Sequence, residues 1–424
     1  MITRQPGLVC GVLFLLSLAR LSAALEPAEE KIAAWVDAHA GEFAADLEAA
    51  VRIDSQTENL AGVRRLGEHF AAQLAALDFD ARFVPLPEAT ARAGHLVAEH
   101  KGTKGRRVLL IGHLDTVFPG GDFRREGDKV HGSGVADMKG GDVVIIMALR
   151  ALAATGALAD TQVIVVMTGD EEAAGKPVEV SRRDLFEAAA RSDVALAFES
   201  AIGSTGTVAR RGSIAWELTV QGVTGHSSGI FSQVMGDGAA YEMARILGEF
   251  REVARKLDGV TLSPALITAG TTAELSRTGG TVAGKTNIIP QRAIVRGDLR
   301  TVSAGQLAEA QALMQAAVRA NLPRTSAELK FDEGYPAMPP TPANYALLAM
   351  LDAASRDLGL GEITAFDPRG RGAGDVAFVS PPLPAIDGLG LDGPGQHTVN
   401  ESADLGRVPE LVKRTAVLIY RLTR

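Results

Sequence analysis

The stretch that decides the fold runs from Val108 to Asp142 and reads VLLIGHLDTVFPGGDFRREGDKVHGSGVADMKGGD. It begins with a short apolar run typical of a strand buried in a sheet, and His113 and Asp115 follow at its end. Side chains two residues apart on an extended chain point to the same face. Asp137 comes next, just before a Gly-Gly pair that opens an apolar helix predicted over 143–152. Because all three side chains are of metal-binding type, the stretch predicts half of a metal site.

The composition of the whole chain sets broad limits. Its 424 residues are 46% hydrophobic, which is enough for a large core, and the length suggests roughly two to three domains. The formal net charge is −8, and no cluster of basic residues is present. Both features argue against a nucleic-acid partner.

The N-terminal segment 1–24 has the pattern of a secretory signal peptide. Arg4 supplies the positive start, Val9–Leu18 the apolar run, and Ser22–Ala24 the small residues of a cleavage site. The apolar run is short for a membrane span, so an uncleaved anchor is the alternative. The single cysteine, Cys10, lies in this segment, which leaves the mature chain without a thiol for disulfides or catalysis. We expect a secreted or periplasmic protein with no membrane attachment after cleavage.

Residues 25–210 show strand patterns that alternate with helical ones, which predicts an α/β fold with a sheet covered by helices on both faces. Helical spacing of apolar residues covers much of 27–77. A further helix is predicted near 182–190. The predicted strands are Arg82–Leu86, His95–Ala98, Val108–Ile111, Gln162–Met167 and Val194–Phe198.

The pattern changes at about residue 211. A half-exposed strand is predicted over 213–220, and the segment continues as helix, strand, strand and helix (234–257, 262–269, 293–299 and 304–320). This set has the size of a small two-layer α+β domain over 211–322. From 323 to 424 the α/β pattern returns, with predicted elements at 328–331, 344–358, 383–386 and 408–422. The smaller domain therefore interrupts a catalytic domain.

The second half of the metal site follows the next two strands. Glu171 and Glu172 come after the strand that ends at Met167, and Glu199 follows the strand over 194–198. Such strand ends are where α/β sheets place their ligands. His397 lies in a loop before the last helix. Imidazole and carboxylate ligands without cysteine suit zinc, or cobalt or manganese in its place, and this number suffices for two ions that share one carboxylate.

Three blocks of this sequence, HLDTV (113–117), GVADMKGG (134–141) and GDEE (169–172), resemble the signature blocks of the di-zinc aminoacylase/carboxypeptidase family. That family includes bacterial glutamate carboxypeptidases of the G type, desuccinylases and carnosinases. The similarity extends in order from about residue 108 to 405. Glu199 and the block TNIIP (286–290) look most like the glutamate carboxypeptidases. The resemblance implies a mixed-sheet zinc-exopeptidase domain, an inserted dimerisation or lid domain, two Zn²⁺ per subunit and a homodimer.

The resemblance also implies roles for the metal-site residues. One metal would be held by His113, Asp137 and Glu199, and the other by Asp137, Glu172 and His397. Asp137 would bridge the two, and its peptide bond to Met138 would be cis. Glu171 would be the general base, and Asp115 would orient His113.

The resemblance extends to the inserted segment and the late Gly-rich turn. His226 corresponds to a histidine that reaches across a dimer interface to stabilise the oxyanion, with Asn287 beside it. Arg300 corresponds to the residue that pairs with the substrate carboxylate, and Gly374 lies in the turn beside the substrate. Simpler alternatives remain open: a turn histidine for His226, a strand-end salt bridge for Arg300, and a plain strand-end carboxylate for Glu199. The other histidines, in polar contexts, are predicted at the surface or in turns (His39, His69, His95, His100 and His131).

The function predicted from this resemblance is that of an exported di-zinc metallo-carboxypeptidase. It would hydrolyse the amide bond before a C-terminal amino acid, with glutamate favoured, in small peptides or N-acyl amino acids. The same machinery would serve an N-acyl-amino-acid deacylase of the aminoacylase or desuccinylase type, or a dipeptidase. An inactive binding homologue is a further alternative, but the base and all the predicted ligands are present. Phosphoester cleavage would require more basic residues near the metals.

Overall fold

The structure is a computed structural model that describes residues 24–276 and 278–424. The predicted signal segment up to residue 23, with Cys10, lies outside the described residues. Within the described ranges, no helix has the length and apolar character needed to traverse a lipid bilayer.

The helices of the described ranges are α1 (Pro27–His39), α2 (Glu42–Val51), α3 (Leu60–Ala75), α4 (Lys139–Ala154), α5 (Val178–Ser181), α6 (Arg183–Ala189), α7 (Gly238–Lys256), α8 (Ala304–Arg319), α9 (Pro342–Asp357) and α10 (Val408–Leu422). The strands are β1 (Asp80–Pro85), β2 (Gly94–His100), β3 (Lys104–His113), β4 (Arg124–Glu126), β5 (Lys129–His131), β6 (Thr161–Thr168), β7 (Val194–Ala197), β8 (Thr205–Gly206), β9 (Gly212–Gln221), β10 (Thr261–Gly270), β11 (Thr272–Leu275), β12 (Gly280–Ala283), β13 (Arg292–Thr301), β14 (Ser326–Phe331), β15 (Thr364–Ala365), β16 (Ala385–Ile386) and β17 (Ser402–Asp404).

The larger sheet has six strands in the order β1-β2-β6-β3-β7-β16. Strands β6, β3, β7 and β16 are parallel, whereas β2 runs antiparallel to β6 and β1 antiparallel to β2. The sheet is therefore mixed, and the predicted α/β fold is confirmed. The parallel arrangement brings the carboxyl ends of β3, β6 and β7 to one edge, where the predicted site residues follow.

Both faces of the central strands of this sheet are buried, which explains their nearly continuous apolar runs. Successive residues of a strand point to opposite faces. Leu110 and Val165 accordingly enter the core built with α1, α3, α4 and α10, whereas Leu109 and Ile164 enter the core that contains α6. Helix α4 is buried along almost its whole length.

Helix α4 begins at Lys139 rather than at the predicted Val143, so the Gly-Gly pair lies inside its first turn. A Cβ at Gly141 would collide with the carbonyl oxygen of Phe198, and a Cβ at Gly140 with that of Val135. The two glycines therefore allow the helix to pack directly against the strand-end loops. Close packing, rather than helix initiation, accounts for the pair.

The smaller sheet is antiparallel, in the order β10-β13-β9-β14. Helices α7 and α8 cover one face, where Trp216 packs edge-on against Phe250 and the core includes Met314. This is the two-layer α+β arrangement predicted for the inserted segment.

One boundary of that segment is corrected by the structure. Strand β14, predicted as the first element of the returning catalytic domain after residue 322, pairs with β9 at the edge of the smaller sheet. Its residue Leu329 is buried in the core of that sheet. The sequence of a half-exposed edge strand shows which residues are buried, but not which sheet accepts the strand.

Candidate active site

Three parallel strands deliver the site residues to one edge of the larger sheet. Strand β3 ends at His113, β6 ends just before the loop with Glu171 and Glu172, and β7 ends two residues before Glu199. Asp137 precedes α4 and has a cis peptide bond to Met138, as the resemblance implies. The strand topology thus brings residues far apart in sequence to one place.

Direct contacts divide the predicted ligands into two groups that share Asp137. His113 Nε2 lies 3.3 Å from Asp137 Oδ1 and 3.8 Å from Glu199 Oε1. His397 Nε2 lies 3.2 Å from Asp137 Oδ2 and 3.0 Å from Glu172 Oε2. Each oxygen of Asp137 therefore faces a different histidine, as expected of a carboxylate that bridges two ions.

The two groups of predicted ligands also lie close to each other. Within 4.8 Å of one another lie one atom each of His113, Asp137 and Glu172, and likewise of His113, Glu171 and Glu199. These sets span both halves of a two-ion site, so the shorter direct contacts define the ligand pairs. The second grouping places Glu171 beside the ligands, where a general base must be to act on water held there.

The chemistry of this donor set fits two divalent cations. Burial raises the pKa of Glu199 to about 7, against the lowering effect of Arg210 and with Asp137 adding to the increase. Burial, followed by the Glu199 carboxylate, raises the pKa of Glu171 well above its usual range. Crowded, buried carboxylates repel one another, and bound cations relieve that repulsion. Oxygen and imidazole donors without sulfur suit zinc, cobalt or manganese.

Asp115 positions His113 through its backbone carbonyl and the predicted base Glu171 through its carboxylate. Its backbone carbonyl lies 3.0 Å from His113 Nδ1, whereas its carboxylate lies 3.6 Å from that nitrogen, too far for a good hydrogen bond. Nδ1 therefore carries the hydrogen, and Nε2 presents its lone pair to the site. The carboxylate instead accepts the amides of Glu171 and Glu172, at 2.9 and 3.1 Å, and the hydroxyl of Thr57 at 2.7 Å.

Glu401 holds the loop that carries the bridging aspartate. Its carboxylate accepts the amides of Gly134 and Ala136, each at 2.8 Å, and that of Asp137 at 2.9 Å. The only sequence signal for this residue is its spacing from His397. The three hydrogen bonds join segments more than 260 residues apart, so no local pattern predicts them.

Arg210 is a residue of the site that the sequence analysis did not identify. Its Nη1 lies 2.8 Å from Asp387 Oδ2 and 3.6 Å from Glu199 Oε1. A Cβ at Gly374 would collide with this guanidinium. The predicted Gly374 therefore makes room for Arg210, and its neighbours Gly372 and Ala373 line the cavity.

A buried polar network lies beneath the loop with Glu171. Arg182 donates to Asp170 at 2.5 Å and to Asp375 at 2.8 Å, and its Nη2 donates to the Tyr335 hydroxyl at 2.8 Å. Tyr335 in turn donates to the backbone carbonyl of Glu171. The network therefore ties the loop of the predicted base to the segment that returns from the smaller sheet.

His95 corrects one of the surface predictions. It is fully buried, its Nδ1 accepts the amide of Gly169 at 3.1 Å, and its Nε2 lies 2.6 Å from the Ser181 carbonyl. Its polar sequence context suggested a turn, but β2 is covered on both sides. The ring stabilises the start of the loop that carries Glu171.

The residues predicted in the inserted segment do not join the metal ligands of the same chain. His226 is exposed and shares a separate cavity of about 480 Å³ with Asn287 and Lys285. Arg300 donates to Asp298 at 2.7 Å, the simpler alternative considered for it. Its Nη1 nevertheless reaches towards the Gly-rich turn, because a Cβ at Gly372 would lie 3.8 Å away.

The predicted ligands open onto a cavity of about 510 Å³. It is lined by Asp137, Glu171 and Glu199, and by Arg210 with the turn 370–373. A larger cavity of about 770 Å³ lies between the loop 173–178 and the smaller sheet. None of the predicted ligands lines it, so we assign the chemistry to the smaller cavity.

Known proteins of similar sequence or structure include peptidases and a desuccinylase. Residues 109–421 match the family model described as Peptidase family M20/M25/M40. Carboxypeptidase G2 from Pseudomonas sp. (strain RS-16) is 26% identical over 392 residues, which cover 89% of this chain and 88% of that protein. Succinyl-diaminopimelate desuccinylase from Gluconobacter oxydans (strain 621H) is 28% identical over 360 residues, covering 80% and 85%. The crystal structure of aminopeptidase PepT from Bacillus cereus superposes with a TM-score of 0.71 at 15% identity, covering 91% of this chain and 99% of that one. At that identity the structural likeness establishes the fold alone.

Proposed function

Because the chain belongs to peptidase family M20/M25/M40, and is thus a metallopeptidase-type hydrolase, we propose that it is an exported di-zinc carboxypeptidase. It would cleave the amide bond before a C-terminal amino acid, preferably glutamate, in small peptides or N-acyl amino acids. The observation that carries the proposal is Asp137, whose two oxygens each face a histidine with a further carboxylate beside it. The same residues would accept cobalt or manganese.

Two divalent cations in this site would polarise the substrate carbonyl and make water more acidic. The carboxylate of Glu171 accepts the proton of the attacking water and delivers it to the leaving nitrogen. Asp115 keeps Glu171 in place by accepting its amide, and Tyr335 does so by donating to its carbonyl. The backbone around the base is thus held by two hydrogen bonds, which leaves its carboxylate free to move a proton.

The proposed oxyanion donor is His226, supplied by a second copy of the chain in a homodimer. The Ser228 amide lies 3.2 Å from His226 Nδ1, and because an amide only donates, Nδ1 is the acceptor. The hydrogen then resides on Nε2, which is the form required for a donor to a developing oxyanion. His226 lines a different cavity from the predicted ligands of its own chain, which supports a role in the partner's site.

The carboxylate clamp of the substrate is proposed to be Arg300. It belongs to the smaller sheet, and its Nη1 approaches Gly372 of the turn that lines the cavity. If Arg300 were released from Asp298, its guanidinium could donate two hydrogen bonds to a substrate carboxylate. The similarity to carboxypeptidase G2 supports the proposal of a carboxypeptidase.

The second candidate is a deacylase of N-acyl amino acids, with the same base and ligands. The similarity to a succinyl-diaminopimelate desuccinylase favours it. Both candidate substrates carry a carboxylate next to the cleaved amide, so Arg300 serves either one. Export is proposed from the signal pattern of residues 1–24, and activity confined to the cytoplasmic fraction would contradict it.

A zinc-loaded hydrolysis screen tests the proposal. N-acyl-glutamate, N-acyl-aspartate, N-acyl-leucine and short peptides are compared in the wild type and in Glu171→Gln. Removal of a general base typically costs about 10²–10⁴ in rate, and we expect that loss in kcat with the metal content unchanged. If the wild type binds two metal ions and hydrolyses none of these substrates, the carboxypeptidase and deacylase proposals are both wrong.

A further inference from the structure

Arg371 is a buried cation without a carboxylate partner. Only 8% of the residue's surface is exposed to solvent. Nε donates to the hydroxyl of Thr207 at 3.0 Å, and Nη2 donates to the carbonyl of Ser200 at 2.6 Å. Both partners are neutral. Across residues 24–276 and 278–424, no carboxylate oxygen lies within 4.0 Å of this guanidinium, and Nη1 has no hydrogen-bond partner.

Other buried arginines of this protein differ in this respect. Arg182 pairs with Asp170 and Asp375, Arg210 with Asp387, and Arg414 lies 3.5 Å from Glu410. An unpaired buried charge is strongly unfavourable, and proteins normally provide a counter-ion. Burial, followed by the adjacent Arg210, lowers the pKa of Arg371, whereas the more distant carboxylates of Asp387, Glu199 and Asp137 raise it. Among the described residues no counter-ion binds Arg371 directly, which points to a ligand.

The position of Arg371 indicates which ligand. It lines the cavity onto which the predicted metal ligands open. Its hydrogen bond to the carbonyl of Ser200 fixes it beside Glu199, the preceding residue. Arg300 approaches the adjacent Gly372 from the smaller sheet. Two guanidinium groups thus flank one short turn of the cavity wall, one of them at the proposed clamp for the substrate's α-carboxylate.

We propose that Arg371 binds a second carboxylate of the substrate, the side-chain carboxylate of the released amino acid. The substrates are then N-acyl derivatives or short peptides that end in an acidic residue, and their neutral analogues are poor substrates. This inference rests on the proposed hydrolase function and names the residue that sets its specificity. Two carboxylates on one small amino acid would match the two guanidinium groups beside Gly372.

The kinetic test compares two substrates of equal shape, N-acetyl-glutamate and N-acetyl-glutamine. In Arg371→Met we expect kcat/KM for N-acetyl-glutamate to fall about 10- to 100-fold, the usual effect of losing a hydrogen-bonded charge, mainly through KM. Hydrolysis of N-acetyl-glutamine should change by less than about threefold, because that substrate has no second charge to lose. Arg371→Lys keeps the charge and should retain part of the preference for glutamate.

The matched control is Arg369→Met, two residues away in the same segment. Arg369 is exposed, pairs with Asp367, and is absent from the cavity lining. Its replacement should leave the glutamate-to-glutamine ratio unchanged. A third substrate, N-succinyl-alanine, has its extra carboxylate on the acyl side. If Arg371→Met impairs this substrate selectively and spares N-acetyl-glutamate, the assignment to the amino-acid side is overturned.

A binding measurement separates this proposal from the proposed function. Calorimetry with glutarate and with its neutral half-amide, glutaramate, reports recognition without turnover. Tighter binding of glutarate by the wild type, lost in Arg371→Met and partly kept in Arg371→Lys, supports the carboxylate subsite even if no amide is hydrolysed. Equal binding of both compounds by the wild type overturns it. An equal loss of activity on both N-acetyl substrates also overturns it, since Arg371 would then serve only to hold the backbone at Ser200.

Discussion

The carboxylate of Glu401 offers a sharp test of how the site is held together. It accepts three backbone hydrogen bonds of 2.8–2.9 Å from the loop of the bridging Asp137. In Glu401→Ala three amides lose their acceptor, and at about 1–3 kcal/mol for each unsatisfied buried donor we expect a loss of about 3–5 kcal/mol after partial solvation. In Glu401→Gln the side-chain oxygen can still accept from Ala136 and Asp137. Only the Gly134 amide then faces the side-chain NH2 group, and we expect the free energy of unfolding to fall by about 1–2 kcal/mol.

Urea unfolding of the metal-free protein measures these losses, and a metal titration measures their effect on the site. Outer residues that orient ligands typically change metal affinity by about 10- to 100-fold, and we expect a decrease of that size in Glu401→Ala. Glu30→Gln, an exposed carboxylate of α1, is the control and should stay within about 0.5 kcal/mol of the wild type. If Glu401→Ala unfolds like the control or binds metal normally, the loop is held by other contacts and this reasoning is wrong.

Three further predictions concern the base, the termini and the metals. Tyr335→Phe removes the hydroxyl between Arg182 and the Glu171 carbonyl. We expect the free energy of unfolding in urea to fall by about 1–2 kcal/mol, and kcat to fall by more than KM changes. A change in KM alone would contradict a role in positioning the base. Burial favours the neutral form of Glu29, but its hydrogen bonds to Arg421 prevail and lower its pKa below 4.5. The ionised carboxylate therefore stabilises the folded protein above pH 4.5, and this contribution is lost as the pH falls through the folded-state pKa. Glu29→Gln should therefore destabilise the protein at pH 7 and converge with the wild type in acid, and an effect independent of pH would refute this. Chelation should abolish hydrolysis and lower the Tm, both restored by zinc, because ligands that bind only the folded state stabilise it; an unchanged Tm would argue against ions between the two histidines.

The class of fold and the positions of the predicted ligands at the strand ends follow from the sequence alone. Buried parallel strands must be apolar on both faces, and their ends are marked by the first polar residues that follow. The positions of His113, Glu171 and Glu199 after apolar runs therefore place them at one edge of a sheet. The alternation in 213–220 likewise predicted a half-exposed strand outside that sheet. These features are local periodicities, and a local pattern is sufficient to show them.

The tertiary structure decided which distant groups meet. Strand β14 joined the smaller sheet, because an edge strand can pair with any sheet that offers a free edge in register. Glu401 and Arg210 became part of the site through contacts with residues on other elements, and His95 was buried by its neighbours. Arg371 differs from an ordinary surface arginine only in its burial and its lack of a counter-ion. Pairing, burial and charge compensation depend on distances between elements, and one-dimensional spacing does not contain those distances.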